Sequence, residues 1–357
     1  MAKLGEVATY INGYAFKPQD WSDEGIPIIR IQDLTGNSYQ ANRYNGEYAP
    51  KYEVDDGDVL ISWSASLGVY VWHGEKAVLN QHIFKVVFDK ERISKDFFVH
   101  QVDLILENAA SDAHGATMKH LTKPVFDALP FYLPPYEKQC EIAEVLDKVT
   151  SLISLRKQQL AKLDELVKAR FVEMFGDPIN NPMNYPKSQL GKVCDVRDGT
   201  HDSPEYYDVG YPLVTSKNVT GGKIDLSECN LISEDDYKKI CERSKVDRGD
   251  IIMPMIGTVG KPVIVNTEPM FAIKNVALIK FTPDSLVTNI YIKTLLESDY
   301  FDRAVLDKIR GGTQKFIALG DIRKLEIILP DLKHQQCFSA FVERVDQQKQ
   351  AVQQSLE

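Results

Sequence analysis

The sequence has little of what a disulfide-bonded, membrane-bound or secreted protein needs. Its five cysteines are spread over 357 residues and form no Cys-x-x-Cys pair, which predicts reduced thiols and neither a disulfide framework nor a zinc site. The apolar stretch from Val59 to Trp72 is interrupted by serine and glycine and is too short to span a bilayer. The start of the chain lacks the charged and apolar regions of a secretion signal. We therefore expect a cytoplasmic protein with no membrane partner.

Catalytic motifs are also missing from the sequence. It contains neither a G-x-x-x-x-G-K-[ST] phosphate loop nor a convincing G-x-G-x-x-G turn after a strand. Leu133-Pro-Pro-Tyr136 departs from the Asn/Asp-Pro-Pro-Tyr motif of amino-methyltransferases, because leucine cannot hydrogen-bond a target amine. Asp198-Gly-Thr-His-Asp202 is more typical of a structured loop than of a metal site. We expect no cofactor, no metal and no catalytic residue; a self-contained nuclease with an unmarked carboxylate cluster is an open alternative.

Positive charge is scarce as well. The chain has 42 lysines and arginines against 51 acidic residues, a net charge of −9. Residues 1–135 alone contain 18 acidic and 12 basic side chains. Proteins that bind DNA unaided usually carry a basic face, because neutralising phosphates supplies much of the affinity. A DNA-binding surface on this chain would therefore be a local cluster of basic groups, or a partner would complete it.

The chain contains two related copies of one sequence. The offset between matched segments grows from 186 positions near the start of each copy, through 192, to 196 near its end. The segments are 4–7 with 190–193, 54–60 with 246–252, 115–121 with 311–317, and 133–134 with 329–330. A growing offset indicates insertions in the early part of the second copy. The pattern predicts a duplicated domain.

Each copy is predicted to combine helices and strands. Asp56-Gly57-Asp58 and Arg248-Gly249-Asp250 are turn signals, and apolar, mostly β-branched residues follow them. The predicted strands are 26–31 and 59–61 in the first copy, and 211–215 and 251–253 in the second. Apolar residues at helical spacing predict helices over 97–108 and 290–309.

A long helix is predicted between the copies. Residues 136–175 contain no proline or glycine, and Gly176-Asp-Pro178 provides a strong stop. Apolar residues recur there in steps of four and three, with Arg156 and Arg170 as interruptions. The seam consists of Ile142, Leu146, Val149, Ile153, Leu160, Leu163 and Val167, and a second, shorter seam after the second copy consists of Phe338, Val342, Val345, Val352 and Leu356. We expect the two helices to pair as an antiparallel coiled coil; two independent helices, each packed on its own domain, are the alternative.

The predicted fold class is therefore α+β, with two tandem globular domains of related fold separated by long helices. The expected boundaries are a first domain over 1–135, a spacer helix over 136–176, a linker over 177–189, a second domain over 190–330 and a shortened second helix over 331–357.

Polar and basic side chains at matched places in the two copies are the candidate DNA contacts. Thr-x-Lys segments beside glycines suit phosphate binding, whereas arginine suits guanine and asparagine or glutamine suits adenine in the major groove. Individually each base-contact candidate is more typical of an exposed loop than of a base contact, and a tight turn with a solvated lysine is an equal alternative for the Thr-x-Lys segments. The candidates are Arg30, Gln32, Ser64, Gln81, Thr117, Lys119, His201, Lys217, Asn218, Thr258, Lys261, Lys274, Asn275, Arg310, Thr313 and Lys315.

In the order of these motifs, the sequence resembles the specificity (S) subunits of type I restriction–modification systems. The resemblance covers nearly the whole chain and rests on the repeated Leu-Gly-x-Val segments, the Gly-Thr-x-Lys segments, the Leu-Pro-Pro-Tyr-Glu-Lys-Gln139 block and the segment from Phe171 to Pro178. It implies a non-catalytic subunit whose two target-recognition domains each read one half of a split, asymmetric site on double-stranded DNA, with the helices setting the gap.

The resemblance also implies partners. Two methyltransferase (M) subunits would bring S-adenosylmethionine, and restriction (R) subunits would join the full complex. If the M subunits close the DNA channel, an acidic S subunit binds DNA weakly alone. The shortness of the second helix departs from the family pattern. A coiled-coil adaptor that binds proteins through both domains is an alternative function.

Overall fold

The computed structural model describes residues 1–37, 42–112, 121–256, 260–305 and 316–356. They form two compact units, Met1–Ser154 and Leu155–Glu357, and the long helix contributes to both. Thr117, Lys119, Thr258, Arg310, Thr313 and Lys315 lie outside the described residues. Within the described ranges, no helix is both long and apolar enough to cross a membrane.

Unit 1 contains the first copy of the repeat and the start of the long helix. Its strands are β1 (Ala2–Lys3), β2 (Thr9–Asn12), β3 (Ile26–Ile29), β4 (Arg43–Tyr44), β5 (Glu53–Val54), β6 (Val59–Ser62), β7 (Gly68–Val71), β8 (Ala77–Leu79), β9 (Ile83–Val87) and β10 (Pro130–Phe131). Its helices are α1 (Leu4–Val7), α2 (Ile31–Leu34), α3 (Lys95–Asp112), α4 (Lys123–Ala128) and α5 (Tyr136–Phe175), with 3-10 turns at Pro18–Asp20 and Pro50–Tyr52.

Unit 2 contains the second copy and the rest of α5. Its strands are β11 (Lys187–Gln189), β12 (Asp195–Asp198), β13 (Tyr211–Val214), β14 (Val219–Thr220), β15 (Lys223–Ile224), β16 (Asn230–Ile232), β17 (Ile251–Pro254), β18 (Val263–Ile264), β19 (Ala272–Ile273), β20 (Val276–Lys280) and β21 (Glu326–Ile328). Its helices are α6 (Leu190–Val193), α7 (Glu234–Ser244), α8 (Asn289–Leu296), α9 (Asp299–Ala304), α10 (Leu319–Lys324) and α11 (Leu332–Gln354), with a 3-10 turn at Ser216–Asn218.

The sheets repeat from one unit to the other. An antiparallel sheet of order β2-β9-β6-β7 in unit 1 corresponds to β12-β20-β17-β18 in unit 2. A second sheet contains the series β4-β3-β8 in unit 1 and β16-β13-β19 in unit 2, and a short pair, β1-β10 or β11-β21, joins the start of each copy to its end. The prediction of two related α+β domains is confirmed. Helix α7 occupies the stretch before β17 where unit 1 has the turn Pro50–Tyr52 and β5, so it accounts for part of the insertion.

The core of each copy lies between the first sheet and the helices that follow it. In unit 1, Phe84 of β9, Phe98 of α3 and Phe131 of β10 are fully buried in one cluster. In unit 2 the corresponding cluster contains Ile279 of β20 and Tyr291 of α8. Burial of such large side chains supplies most of the driving force for folding.

The predicted helix over residues 290–309 was wrong in its length. Helix α8 ends at Leu296, and α9 begins a new helix at Asp299. Ser298 stands between them, where its hydroxyl donates a 2.6 Å hydrogen bond to the carbonyl of Leu295. A serine that bonds the preceding turn competes with helix continuation, and helical periodicity alone does not reveal such a break.

A buried glutamine fastens each domain to the helix that leaves it. In unit 1, Gln139 of α5 accepts a 2.9 Å hydrogen bond from the backbone N–H of Ser94 and donates one of 2.8 Å to the carbonyl of Pro134. In unit 2, Gln335 of α11 makes the same bonds with Thr288 and Pro330, at 2.9 and 2.8 Å. Each of these bonds uses a backbone group of the domain, so the bonds themselves do not depend on which side chains the domain carries.

Within unit 2, the second half of α5 contacts α11. Phe171 packs edge-on against Phe338, with ring centroids 5.6 Å apart. Nearer the middle of α5, Asp164 pairs with Lys349 at 2.6 Å. Where they contact each other, α5 and α11 therefore run in opposite chain directions. The apolar phase of α11 agrees with its burial, since Phe338, Val342, Val345 and Val352 are all buried.

Candidate nucleic-acid interface

The candidate site of each unit lies where two parallel strands end side by side. Strands β3 and β8 run parallel in unit 1, and β13 and β19 run parallel in unit 2. Because parallel strands point the same way, the residues after both carboxyl ends meet at one edge, the usual place for ligand sites in such sheets. We call these residues the strand-end segments: 30–34 with 80–82 in unit 1, and 215–218 with 274–275 in unit 2.

A glycine in each copy lets a third segment reach this edge. Tyr14 forms a parallel bridge with Asn80, and Thr200 forms one with Lys274. The preceding residues are Gly13 and Gly199. A Cβ on Gly13 would lie 2.0 Å from the carbonyl oxygen of Asn80, and one on Gly199 would lie 2.4 Å from that of Ile273. Only glycine permits this approach of two backbones, which explains the glycine shared by the Asn12-Gly13 and Asp198-Gly199 blocks.

In unit 2 a polar network surrounds His201. Its Nε2 lies 2.8 Å from Oδ2 of Asp198, and its Nδ1 lies 2.8 Å from Oδ1 of Asn275. Asp198 is 7% exposed, and its other oxygen accepts a hydrogen bond from the guanidinium of Arg243 at the end of α7. The Asn275 oxygen, followed by Asp198, raises the pKa of His201 above its ordinary value. His201 and Arg243 are both exposed, and both bind the buried carboxylate of Asp198.

Two lysines and an asparagine complete the strand-end segments of unit 2. The Lys274 ammonium lies 2.7 Å from the Ser203 hydroxyl, and Lys217 is exposed on the turn after β13. Asn218 is buried, and its oxygen accepts hydrogen bonds from the backbone N–H and the hydroxyl of Thr215, at 2.9 and 2.8 Å. Asn218 therefore caps the turn, and its amide oxygen is occupied by hydrogen bonds to Thr215.

In unit 1 the strand-end segments carry different side chains. The Arg30 guanidinium lies 5.0 Å from the ring centroid of Trp21, which holds it by a cation–π contact. Gln32 follows in the first turn of α2, and Gln81 donates its backbone N–H to the carbonyl of Tyr14 at 2.8 Å. The structure thus brings Arg30, Gln32 and Gln81 to one edge, as it does His201, Lys217, Lys274 and Asn275 in unit 2.

Ser64 and Lys261 are candidates in the turns that follow β6 and β17. Ser64 is 5% exposed and its carbonyl accepts hydrogen bonds from Ser66 and Ser62, at 2.7 and 3.2 Å. Ser64 is therefore the buried first residue of a tight turn whose next residues, Ala65 and Ser66, are exposed. The sequence shows no signal for this turn other than a run of small residues. Lys261 is exposed at the corresponding turn of unit 2.

Leu121 and Ile317, which come shortly after the Thr-x-Lys segments in the sequence, bond to the chain beside the same edge. In unit 1, Leu121 donates its N–H to the carbonyl of Trp63 at 3.0 Å, and Trp63 donates its own to that of His82 at 3.2 Å. In unit 2, Ile317 bonds the carbonyl of Met255 at 2.9 Å in the same manner. The two acceptors, Trp63 and Met255, directly follow a central strand, β6 or β17, next to the start of β9 or β20.

Sequence reasoning missed Trp21 and Arg243. Both act by holding another polar group, Arg30 or Asp198, and neither has a counterpart in the other copy that would mark it out. The matched glutamines Gln139 and Gln335 could have been recognised as a structural pair, because they are separated by the same 196 positions as the neighbouring matched segments. Across the described ranges, no group of three or more His, Cys, Asp or Glu side chains could hold a metal ion.

Comparison with known proteins agrees with this architecture. The family model described as "Type I restriction modification DNA specificity domain" matches residues 1–165 and again 182–357. The EcoBI specificity subunit of Escherichia coli is 24% identical over 378 residues, which cover 96% of this chain and 78% of that protein. The MjaVIII specificity subunit of Methanocaldococcus jannaschii is 24% identical over 370 residues, covering 97% and 85%.

A solved structure shares the fold. One such chain comes from a study of complex assembly and conformational transition of the type I R-M system. It superposes with a TM-score of 0.57 at 18% identity, covering 99% of this chain and 92% of that one. The duplicated family match, which follows the duplicated sheets, covers almost every described residue. The chain belongs to the type I restriction–modification specificity subunits, which recognise DNA sequence.

Proposed function

We propose that each domain reads one half of a split DNA site with its strand-end segments. The observation that carries this proposal is the repeated edge, built on the same pair of parallel strands in both units and furnished with different side chains. Unit 1 presents Arg30 there, and unit 2 presents Lys217, Lys274 and Asn275. Different donors and acceptors select different bases, so the two halves of the site differ in sequence and the whole site is asymmetric.

The Gly-Thr-x-Lys segments are proposed to bind phosphates beside these bases. Leu121 and Ile317, which come shortly after them in the sequence, bond to the chain beside the edge that carries the strand-end segments, which supports a common DNA-facing surface. The residues concerned are Thr117 and Lys119 in the first copy, and Arg310, Thr313 and Lys315 in the second, with Thr258 and Lys261, which come after β17 in the sequence. Contacts to phosphate fix position and contribute affinity without selecting sequence.

Helices α5 and α11 are proposed to set the gap between the halves as an antiparallel pair. The opposite chain directions of the contacts Phe171–Phe338 and Asp164–Lys349 support this arrangement. A helix of 40 residues is roughly 60 Å long, the scale needed to separate two DNA-reading domains. On α5 within unit 1, Val149 remains 45% exposed, so that part of the apolar seam is available to a partner.

Catalysis is proposed to come from two M subunits carrying S-adenosylmethionine, with R subunits in the complex that cuts DNA. This follows the pattern of the family, in which the specificity subunit itself is not an enzyme. The net charge of −9 supports dependence on a partner, because an excess of acidic side chains repels a phosphate backbone.

Replacing Arg30, which stacks on Trp21, tests whether unit 1 reads one half of the DNA site. In the complex with its M subunits, Arg30→Ala is expected to relax sequence preference in one half of the methylated site by about 1–3 kcal/mol and to leave the other half unchanged. Sequencing of methylated products from a randomised DNA library measures both halves at once.

The matched control is Arg92→Ala. Arg92 also stacks on an aromatic ring in unit 1, 4.0 Å from the Tyr136 centroid, but beside the start of α5. Its replacement should leave both halves intact. If Arg30→Ala left both halves unchanged, or altered them equally, the strand-end segments would not be the base-reading surface of unit 1.

The dependence on a partner predicts weak DNA binding by the isolated chain. At physiological salt we expect a dissociation constant in the non-specific range of about 10⁻⁴–10⁻⁶ M, and a gain of at least roughly tenfold when M subunits are added. A fluorescence titration over a series of salt concentrations measures both states. Tight and sequence-selective binding by the chain alone at physiological salt would contradict the expectation.

A further inference from the structure

Asn275 presents only one side of its amide to solvent. The residue directly precedes β20 in a left-handed backbone conformation, with φ at 55°. Its Oδ1 lies 2.8 Å from Nδ1 of His201, so the oxygen is engaged inside the protein. The side chain is half-buried, and the group that remains for a DNA edge is the amide NH2, which can only donate.

Both ring nitrogens of His201 face oxygen acceptors. Nε2 points to a carboxylate oxygen of Asp198 and Nδ1 to the amide oxygen of Asn275, each at 2.8 Å. A neutral imidazole has one N–H and can make only one of these bonds as donor, whereas the imidazolium makes both. The geometry therefore matches the doubly protonated ring.

The charges around His201 come from three elements. Asp198 at the end of β12 faces its Nε2, Arg243 at the end of α7 binds the other oxygen of Asp198, and Lys274 lies next to Asn275 with its ammonium on Ser203. Asp202 follows directly in the chain. The bonds to Asn275 and Asp198 raise the pKa of His201, and Arg243 opposes them. The proton equilibrium of His201 is therefore set by this network.

We propose that protonation of His201 sets the orientation of the Asn275 amide and thereby which base edge the second domain accepts. With the doubly protonated ring, the exposed NH2 selects an acceptor-bearing edge, such as guanine O6 and N7 or thymine O4. When Nδ1 loses its proton it becomes an acceptor, the amide turns over to donate to it, and Oδ1 faces outward. The exposed oxygen then selects a donor-bearing edge, the amino group of adenine or cytosine.

His201 is thus a positioning residue that acts through Asn275. The inference rests on the proposed function, because it requires the strand-end segments of unit 2 to face bases. It also changes the expectation that Asn275 reads adenine through a bidentate pair, since that pair needs the amide oxygen and the NH2 on one base edge, and the oxygen is turned toward His201.

The test uses the complex of this chain with its M subunits and a DNA library randomised in both half-sites. Methylated products are sequenced after reaction at about pH 6 and about pH 8.5, on either side of the ordinary histidine pKa. At one base pair in the half read by unit 2, we expect preference to move from guanine or thymine toward adenine or cytosine by roughly tenfold, the size of one good side-chain contact. The half read by unit 1 serves as the internal reference.

Two variants separate the proton from other effects of pH. His201→Lys keeps a donor toward Asn275 at both pH values, so the acceptor preference should persist and its pH dependence should vanish. His73→Gln removes an exposed histidine of unit 1 that pairs with Asp56 at 3.4 Å, and should leave the wild-type shift intact. An unchanged preference in the wild type, or a shift that survives in His201→Lys, would overturn the proposal.

A measurement without DNA covers the case in which His201→Lys fails to fold. Histidine ring signals are followed by NMR over pH in the wild-type chain and in Asn275→Ala, and the His201 midpoint should fall in the variant. An identical midpoint would overturn the link between the two residues. If Asn275→Ala still relaxed the unit 2 half-site, the proposed function would stand without the proton link; if it left both halves unchanged, the placement of unit 2 on DNA would fail with it.

Discussion

Replacing Gly199 by alanine is expected to destabilise unit 2 by about 1–3 kcal/mol and to abolish discrimination in one half of the DNA site. The added Cβ would lie 2.4 Å from the carbonyl oxygen of Ile273, a backbone atom that cannot turn aside. Relief requires that the segment 199–203 move away from β19, and overpacking of this kind has about that cost. The same movement would carry His201 away from Asn275, so recognition is lost in the molecules that still fold.

The matched control is Gly320→Ala in α10 of the same unit. A Cβ at Gly320 meets no atom within 4 Å, and alanine in a helix is favoured over glycine by about 0.5–1 kcal/mol. We expect unchanged or slightly higher stability and unchanged methylation of both half-sites. Chemical denaturation followed by circular dichroism, together with sequencing of methylated DNA, compares the two variants. Equal stability and equal half-site discrimination for Gly199→Ala and Gly320→Ala would show that the close approach at Gly199 is not what shapes the edge.

Much of the fold could be predicted because its signals are local or repeated. The absence of proline and glycine over residues 136–175 predicted a long helix there, and α5 spans Tyr136–Phe175, one residue short of the expected 136–176. The strands after Asp56-Gly57-Asp58 and Arg248-Gly249-Asp250 were confirmed at β6 and β17 for the same reason. The duplication was visible because equivalent turns and domain exits keep their residue types.

The edge itself could be predicted only in outline. Candidates such as Gln32 and Lys217 were found because they follow predicted strands, but the parallel pairing that builds each edge joins segments far apart in sequence. Asn218 has a residue type that suits base contact, and the structure uses its oxygen to cap a turn instead. Local sequence cannot distinguish the two, because asparagine makes the same hydrogen bonds to a backbone as to a base.

The contact between Arg243 and Asp198 is a clearer example of what the sequence alone cannot predict. It joins the end of an inserted helix to the end of β12, across 45 residues. The first copy has Asn12-Gly13-Tyr14 at that block, so the repeat provides no second example. Only the three-dimensional arrangement shows that the exposed His201 and Arg243 share one buried carboxylate.

Exchange of the whole first domain should have the largest effect on recognition. Gln139 fastens that domain to α5 through the backbone N–H of Ser94 and the carbonyl of Pro134. Because these groups are present whatever the side chains, a related domain that also keeps the apolar core around Ile142 and Ala143 should attach to α5. The exchanged domain brings its own strand-end segments, and unit 2 keeps its own.

The most direct test of the account is therefore to replace residues 1–135 by the corresponding domain of another specificity subunit and to sequence the methylated genome. We predict that one half of the methylated site changes completely, while the other half and the gap between them stay the same. The reciprocal exchange of residues 190–330 should change only the second half. A methylation pattern that stays unchanged after the first exchange, or one in which both halves change, would contradict the account.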